Sequence, residues 1–147
     1  MKYAFYLLSF VLIFGISCSE DEETRSSEEQ ILSYLEANDL EAEKTSSGLY
    51  YIIEAEGTGQ RPSASSTVVV GYKGYLTDGT VFDQNGNASF SLTRVIPGWT
   101  EGMQLFREGG NGILFVPAEL GYGSSGISGV IPGNSALVFE VDLKEVF

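Results

Sequence analysis

The chain has 147 residues, with twenty acidic side chains against eight basic ones, a formal net charge of −12 and an ordinary hydrophobic share of 43%. That length suits one domain plus a tail, and so negative a surface repels nucleic-acid phosphates, which argues against nucleic-acid binding. There is no histidine and one cysteine, so His-based triads and clustered Cys/His zinc sites are excluded, and neither a metal nor a cofactor is expected.

Residues 1–17 read as a secretory signal peptide: Lys2 supplies the positive start, and Tyr3 to Ile16 form an apolar run broken only by Ser9 and Gly15. The run is shorter than the roughly 20 apolar residues that cross a bilayer. Its end, Gly15-Ile16-Ser17-Cys18, resembles a lipobox, which makes Cys18 the candidate lipidation site and first mature residue. The alternative is an ordinary cleaved signal with an incidental cysteine. From Ser19 to Glu29 the chain is acidic and nearly devoid of apolar residues, which predicts a solvated tether. Acidic residues directly after a lipidated cysteine also resemble a surface-sorting signal of some gliding bacteria.

Ile31, Leu32 and Leu35 recur at helical spacing behind Ser27, Glu28 and Glu29, which suit a cap and first turn, and predict a short helix over 27–37. Residues 18–47 therefore divide into lipidated Cys18, tether and helix, and 48–147 form the domain. Leu49 to Ile53 has strand chemistry, closed by Glu56-Gly57-Thr58-Gly59. Thr67 to Leu76 and Val81-Phe82-Asp83 flank an Asp78-Gly79 turn and predict a hairpin. Asn85-Gly86-Asn87 reads as a second turn, Phe90 to Leu92 as a short strand, and Pro97 as the first residue of a helix to about Phe106. Ile113 to Val116 reads as a strand stopped by Pro117. A glycine-punctuated loop follows, and then Leu137, Phe139, Val141 and Leu143 alternate with Val138, Glu140, Asp142 and Lys144 as a half-buried last strand. The order predicts an α+β domain, a helix packed on an antiparallel sheet.

Five separated motifs carry more than fold class: Val69-Val70-Gly71-Tyr72-Lys73-Gly74, Asp78 to Asp83, Val95-Ile96-Pro97-Gly98-Trp99, Leu120-Gly121-Tyr122-Gly123, and Ile131 to Val141. In this order they resemble the FKBP family over Val68 to Val146. The resemblance implies an FKBP-like, five-stranded antiparallel sheet wrapped around one short helix. It also implies an apolar pocket of Tyr72, Phe82, Val95, Ile96, Tyr122 and Phe139, with Trp99 as floor, Asp83 as its one charge and Ile127 overhanging it. In this reading Tyr72, Phe82, Asp83, Trp99, Tyr122 and Phe139 are catalytic, Val95, Ile96, Ile127 and Ile131 bind substrate, and the backbone N–H of Ile131 takes a substrate carbonyl. Two positions depart from the pattern: Ala88 stands where many relatives have a large apolar side chain, and Ser128 replaces a proline before Gly129.

The implied activity is peptidyl-prolyl cis-trans isomerisation of proline-containing polypeptides, with macrolides as possible ligands. Signal and cysteine together point to a lipid-anchored cell-envelope protein acting on extracytoplasmic chains, similar in architecture to lipoprotein isomerases associated with gliding motility. A peptide-binding module or holdase using the same pocket without turnover is the alternative. A carboxylate-based hydrolase has no motif that would hold two acids facing each other.

Overall fold

The structure, a computed structural model, describes residues 25–147. The signal segment 1–17, Cys18 and the acidic residues as far as Glu23 lie outside the described residues. No helix among the described residues is long and apolar enough to cross a membrane.

Helix α1 spans Ser27–Ala37, the range that the Ile31/Leu35 spacing predicts. Its cap lies one residue earlier than Ser27. Ser26 accepts the Glu29 N–H on its Oγ (3.2 Å) while the Glu29 carboxylate accepts the Ser26 N–H (2.9 Å), a reciprocal capping box. Ser27 is instead turned inward and is 4% exposed.

Six antiparallel strands follow: β1 (Glu43–Lys44), β2 (Tyr50–Ala55), β3 (Thr67–Leu76), β4 (Val81–Ser91), β5 (Asn111–Val116) and β6 (Leu137–Val146), in sheet order β1-β2-β5-β6-β3-β4. The strand beyond the expected five is β1, two exposed charged residues paired with Tyr50 and Tyr51; it is too short to leave a pattern. The β3–β4 turn is closed by Asp78, whose Oδ1 accepts the Thr80 N–H (2.8 Å), and by Gly79 at φ 90°, a left-handed angle that a side chain would strain.

The second predicted turn, Asn85-Gly86-Asn87, does not end a strand. β4 runs through it, with Val70 opposite Ala88 and Tyr72 opposite Asn85, so two residues of β4 face one of β3 in a bulge. The Asn85 side chain accepts the Asn87 N–H (2.9 Å), and Lys144 donates to the Gly86 carbonyl (2.5 Å). Turn-forming residues here mark a kink in an edge strand, which reads alike in sequence.

Helix α2 (Pro97–Met103) lies on the inner face, with Pro97 at its first position. It stops short of Phe106 because Gln104, Leu105 and Phe106 donate to the carbonyls three residues back, tightening into 3₁₀ turns. Gly98 and Gly102 face the sheet: a Cβ on Gly102 would stand 2.5 Å from Leu114 Cδ1, and one on Gly98 2.5 Å from Val116 Cγ1. These two glycines set how closely α2 approaches β5.

Strand alternation divides the apolar residues between two faces. Val68, Val70, Leu114, Val116, Leu137, Phe139, Val141 and Leu143 point inward to Trp99, Met103 and Phe106. On the outer face, Tyr50, Tyr75, Phe115 and Val138 meet Ile31 and Leu35 of α1. The last strand is thus not simply half buried: Val138, on its predicted polar side, is fully buried because α1 covers that end of the sheet. Glu28 fastens the helix edge, pairing with Lys44 (2.6 Å) and accepting the Tyr50 hydroxyl (2.7 Å).

Candidate functional site

Between the inner face of the sheet, α2 and the loop before β6 lies a pocket of about 490 Å³. β3 contributes Tyr72; the two ends of β4 contribute Phe82 with Asp83 and Phe90. Arg94, Val95 and Ile96 come from the segment leading into α2, Trp99 from the helix and Phe139 from β6. Tyr122, Ile127, Val130 and Ile131 come from the loop. All ten residues singled out from the sequence are brought together here, and Phe90, Arg94 and Val130 join them.

The floor is an aromatic lattice. The Trp99 ring stands edge to face with Tyr72 (5.2 Å between centroids, 89°), Phe90 (5.4 Å, 81°) and Phe139 (5.4 Å, 83°), and Phe139 does the same with Phe82 (5.5 Å, 83°). Such pairs set ring edges against π faces and hold each ring in one orientation. Trp99 Nε1 is buried and finds no hydrogen-bond partner among the described residues. Gly74 explains part of the β3 motif, since a Cβ there would stand 2.6 Å from Phe82 and 2.8 Å from Phe139. The glycine leaves room for the two rings.

Asp83 accepts the Tyr72 hydroxyl proton (2.6 Å). Loss of solvent, followed by that hydrogen bond to a carboxylate, pushes the Tyr72 pKa up to about 12, so the phenol stays a donor at physiological pH. Burial, then the Asp83 charge, also raises Tyr122, whose hydroxyl makes no hydrogen bond among the described residues. Ala88 is not part of the wall. It pairs with Val70, and Phe90, two residues further along the same face, closes that side.

The loop is an ordered flap. Ile127 and Ile131 exchange both backbone hydrogen bonds at 2.8 Å, closing a hairpin whose tip is Ser128, Gly129 and Val130. That overturns the expected role of the Ile131 N–H, which is already bonded to the Ile127 carbonyl. The Ile131 side chain still lines the pocket. The backbone N–H of Ile96, at the entry to α2, makes no hydrogen bond among the described residues. Side-chain motifs could not reveal this difference, because it depends on how the backbone pairs.

A larger hollow of about 710 Å³ lies on the outer face of the sheet, around Gly71 and Gly112 and between Glu54, Lys73, Glu140 and Asp142. Its charged walls are solvated and it lacks an aromatic floor, so it offers nothing comparable for an apolar ring. No group of three or more potential metal ligands occurs among the described residues.

A profile of the family described as FKBP-type peptidyl-prolyl cis-trans isomerase matches residues 58–144. The chain is 46% identical over 119 residues to the FKBP-type peptidyl-prolyl cis-trans isomerase FkpA of Aeromonas hydrophila, covering 77% of this chain and 44% of that one. It is 46% identical over 104 residues to the outer membrane protein MIP of Legionella longbeachae, covering 68% and 45%. The crystal structure of FkpA from Escherichia coli matches with a TM-score of 0.74 and 43% identity, over 82% of this chain and 59% of that one. The chain spans less than half the length of the two curated relatives. The matched span contains the whole pocket, from Tyr72 to Phe139, and on these grounds the chain belongs to the FKBP-type peptidyl-prolyl cis-trans isomerase family.

Proposed function

We propose that this protein accelerates cis-trans isomerisation of Xaa-Pro bonds in extracytoplasmic polypeptides. The observation that carries the reading is the pocket itself: a ring of aromatic side chains closed by Trp99, with a few fixed polar groups at its side. The amide barrier of about 18–20 kcal/mol arises from nitrogen lone-pair donation into the carbonyl, so no covalent bond need be broken to lower it. At Xaa-Pro the isomers differ by only about 0.5–1 kcal/mol, and their exchange is slow.

A planar amide is more polar than a twisted one. An apolar aromatic site therefore favours the twisted state relative to the planar one, while its rings hold the pyrrolidine by burying apolar surface. In this reading Ile96 N–H and Tyr122 Oη donate to substrate carbonyls, and Asp83 holds Tyr72 in place while presenting the pocket's one negative charge. No proton transfer to substrate is required.

The signal-like start and Cys18 support a lipid-anchored location in the cell envelope. Macrolide binding belongs to the same proposal, with Phe90 and not Ala88 forming that wall. Residues 19–147, assayed with a succinyl-Ala-Leu-Pro-Phe anilide coupled to a protease specific for the trans isomer, are expected to speed the slow phase in proportion to enzyme concentration. A folded protein that binds the peptide without accelerating exchange would refute the isomerase reading and favour a binding module.

A further inference from the structure

Helix α1 touches the pocket flap at both of its roots. Ser27, a buried polar residue at 4% exposure, accepts the Ala118 N–H on its Oγ (3.0 Å) and donates to Glu119 (3.2 Å). One turn along, Gln30 accepts the Ala136 N–H (3.0 Å) and donates to the Asn134 carbonyl (2.9 Å) and to the Arg25 carbonyl (3.2 Å). Ala118 precedes the flap and residues 134–136 follow it. The roots are also joined to each other, Gly123 N–H donating to the Ala118 carbonyl (2.8 Å) and Asn134 N–H to the Gly123 carbonyl (2.9 Å).

These bonds make a closed circuit from α1 through Ala118, Gly123 and Asn134 back to α1. Tyr122 sits beside Gly123 within it, and the flap tip with Ile127, Val130 and Ile131 hangs from it. Asn134 stands at φ 59°, in the left-handed region that asparagine adopts more readily than most residues with a side chain, and its carbonyl accepts from Gln30. Ser27 and Gln30 serve backbone groups that no strand partner serves.

We infer that Ser27 and Gln30 are positioning residues of the isomerase site: α1, the element that joins tether to domain, sets the flap in its substrate-binding geometry. This rests on the pocket being the peptide site. A flap already ordered by α1 gives up little conformational freedom when peptide binds, whereas a loosened flap must be ordered by the substrate. Affinity should therefore suffer before turnover does, because the Trp99 floor and the Tyr72–Asp83 pair do not depend on α1.

The test uses residues 19–147 with Ser27→Ala combined with Gln30→Ala. Gln30→Glu, which keeps the acceptor for Ala136 and loses the donor to Asn134, is the milder variant. Leu32→Ala, on the exposed side of α1, is the control. Trp99 is the only tryptophan, so its fluorescence reports binding of the Leu-Pro tetrapeptide directly. For the double variant we expect peptide Kd and KM to rise about threefold to tenfold with kcat within about twofold. Amide exchange at Ile127, Val130 and Ile131 should quicken while β3 and β6 are unchanged. Gln30→Glu should fall between, and Leu32→Ala should match the wild type. Should the double variant lose only thermal stability, with peptide affinity and flap exchange unaltered, the inference is overturned. Absence of turnover in the wild type would count against the isomerase reading alone, since binding and exchange would still decide the role of α1.

Discussion

Asp83 and Trp99 line one pocket but carry different structural weight. The Asp83 side chain is exposed and makes one hydrogen bond, to Tyr72, whereas Trp99 is 4% exposed and meets three other rings. Asp83→Ala should therefore lower kcat/KM about tenfold while shifting stability by roughly 1 kcal/mol or less. Trp99→Ala should lose about 3–5 kcal/mol as well as activity; parallel urea melts and peptide assays separate the two. Arg94 is the one cation on the pocket lining and pairs with no carboxylate among the described residues. Arg94→Gln should reduce the ratio of kcat/KM for Glu-Pro over Leu-Pro peptides about twofold to fivefold at low ionic strength, an effect that 1 M salt erases. The motif residues around Trp99 were legible because their types and order are distinctive. Phe90 was legible in principle, standing two residues after Ala88 on the same strand face. Arg94 and Val130 lie in irregular backbone, where neither periodicity nor side-chain chemistry announces a neighbour.

At the scale of elements, the contact between α2 and β5 is where intrinsic preference and packing oppose each other. Alanine exceeds glycine in helix propensity by about 1 kcal/mol, so Gly102→Ala should stabilise an isolated helix. Here the added methyl meets Leu114, a fully buried side chain, at 2.5 Å. Overpacking of this kind costs about 1–3 kcal/mol. Net destabilisation is expected, read as a lower urea midpoint at unchanged m-value; a stabilised variant would mean that α2 can move away from the sheet without penalty. The elements also show what a pattern can and cannot carry. α1 declares itself through Ile31 and Leu35, yet its cap shifts to Ser26 because Ser27 is claimed by Ala118, a residue 91 positions away. Asn85 to Asn87 has the composition of a loop, and only the pairing with β3 makes it a bulge. β1 has no apolar pattern because its two residues are charged, Glu43 accepting the Tyr51 hydroxyl (2.7 Å) and Lys44 standing over the Tyr50 ring.

For the whole molecule, both faces of one sheet are used: α2 and the pocket on the inside, α1 on the outside. Val138 and Phe115 report the second face, but without knowing that α1 docks there their apolar character has no evident purpose. Tyrosines on the two sides respond alike to pH. Burial is the leading cause that raises Tyr72 on the inside and Tyr75 on the outside, Tyr72 to about 12 from an ordinary 10.0. A raised pKa means that the folded state prefers the protonated phenol. The resulting stability is complete below pH of about 10 and is lost as pH climbs through about 12. In urea melts, the stability gap between wild type and Tyr72→Phe should stay constant from neutral pH to about 10 and shrink above it; a gap that widens with alkalinity would contradict the protonated Tyr72–Asp83 pair.

In the lipid-anchored location proposed above, attachment rests on Cys18, which lies outside the described residues. The apolar run before Cys18 is shorter than a bilayer span of roughly 20 residues, and the described residues contain no spanning helix. The proposed anchor is a lipid on the Cys18 thiol. In that proposal the acidic run behind it would repel anionic headgroups by its charge. Cys18→Ser should leave the folded domain and its peptide affinity intact and shift the protein from the membrane to the soluble fraction of fractionated cells. Retention in the membrane fraction would place the anchor in an uncleaved apolar segment. Because α1 links that tether to the flap roots, the soluble variant should also retain wild-type KM, which separates anchoring from positioning in a single preparation.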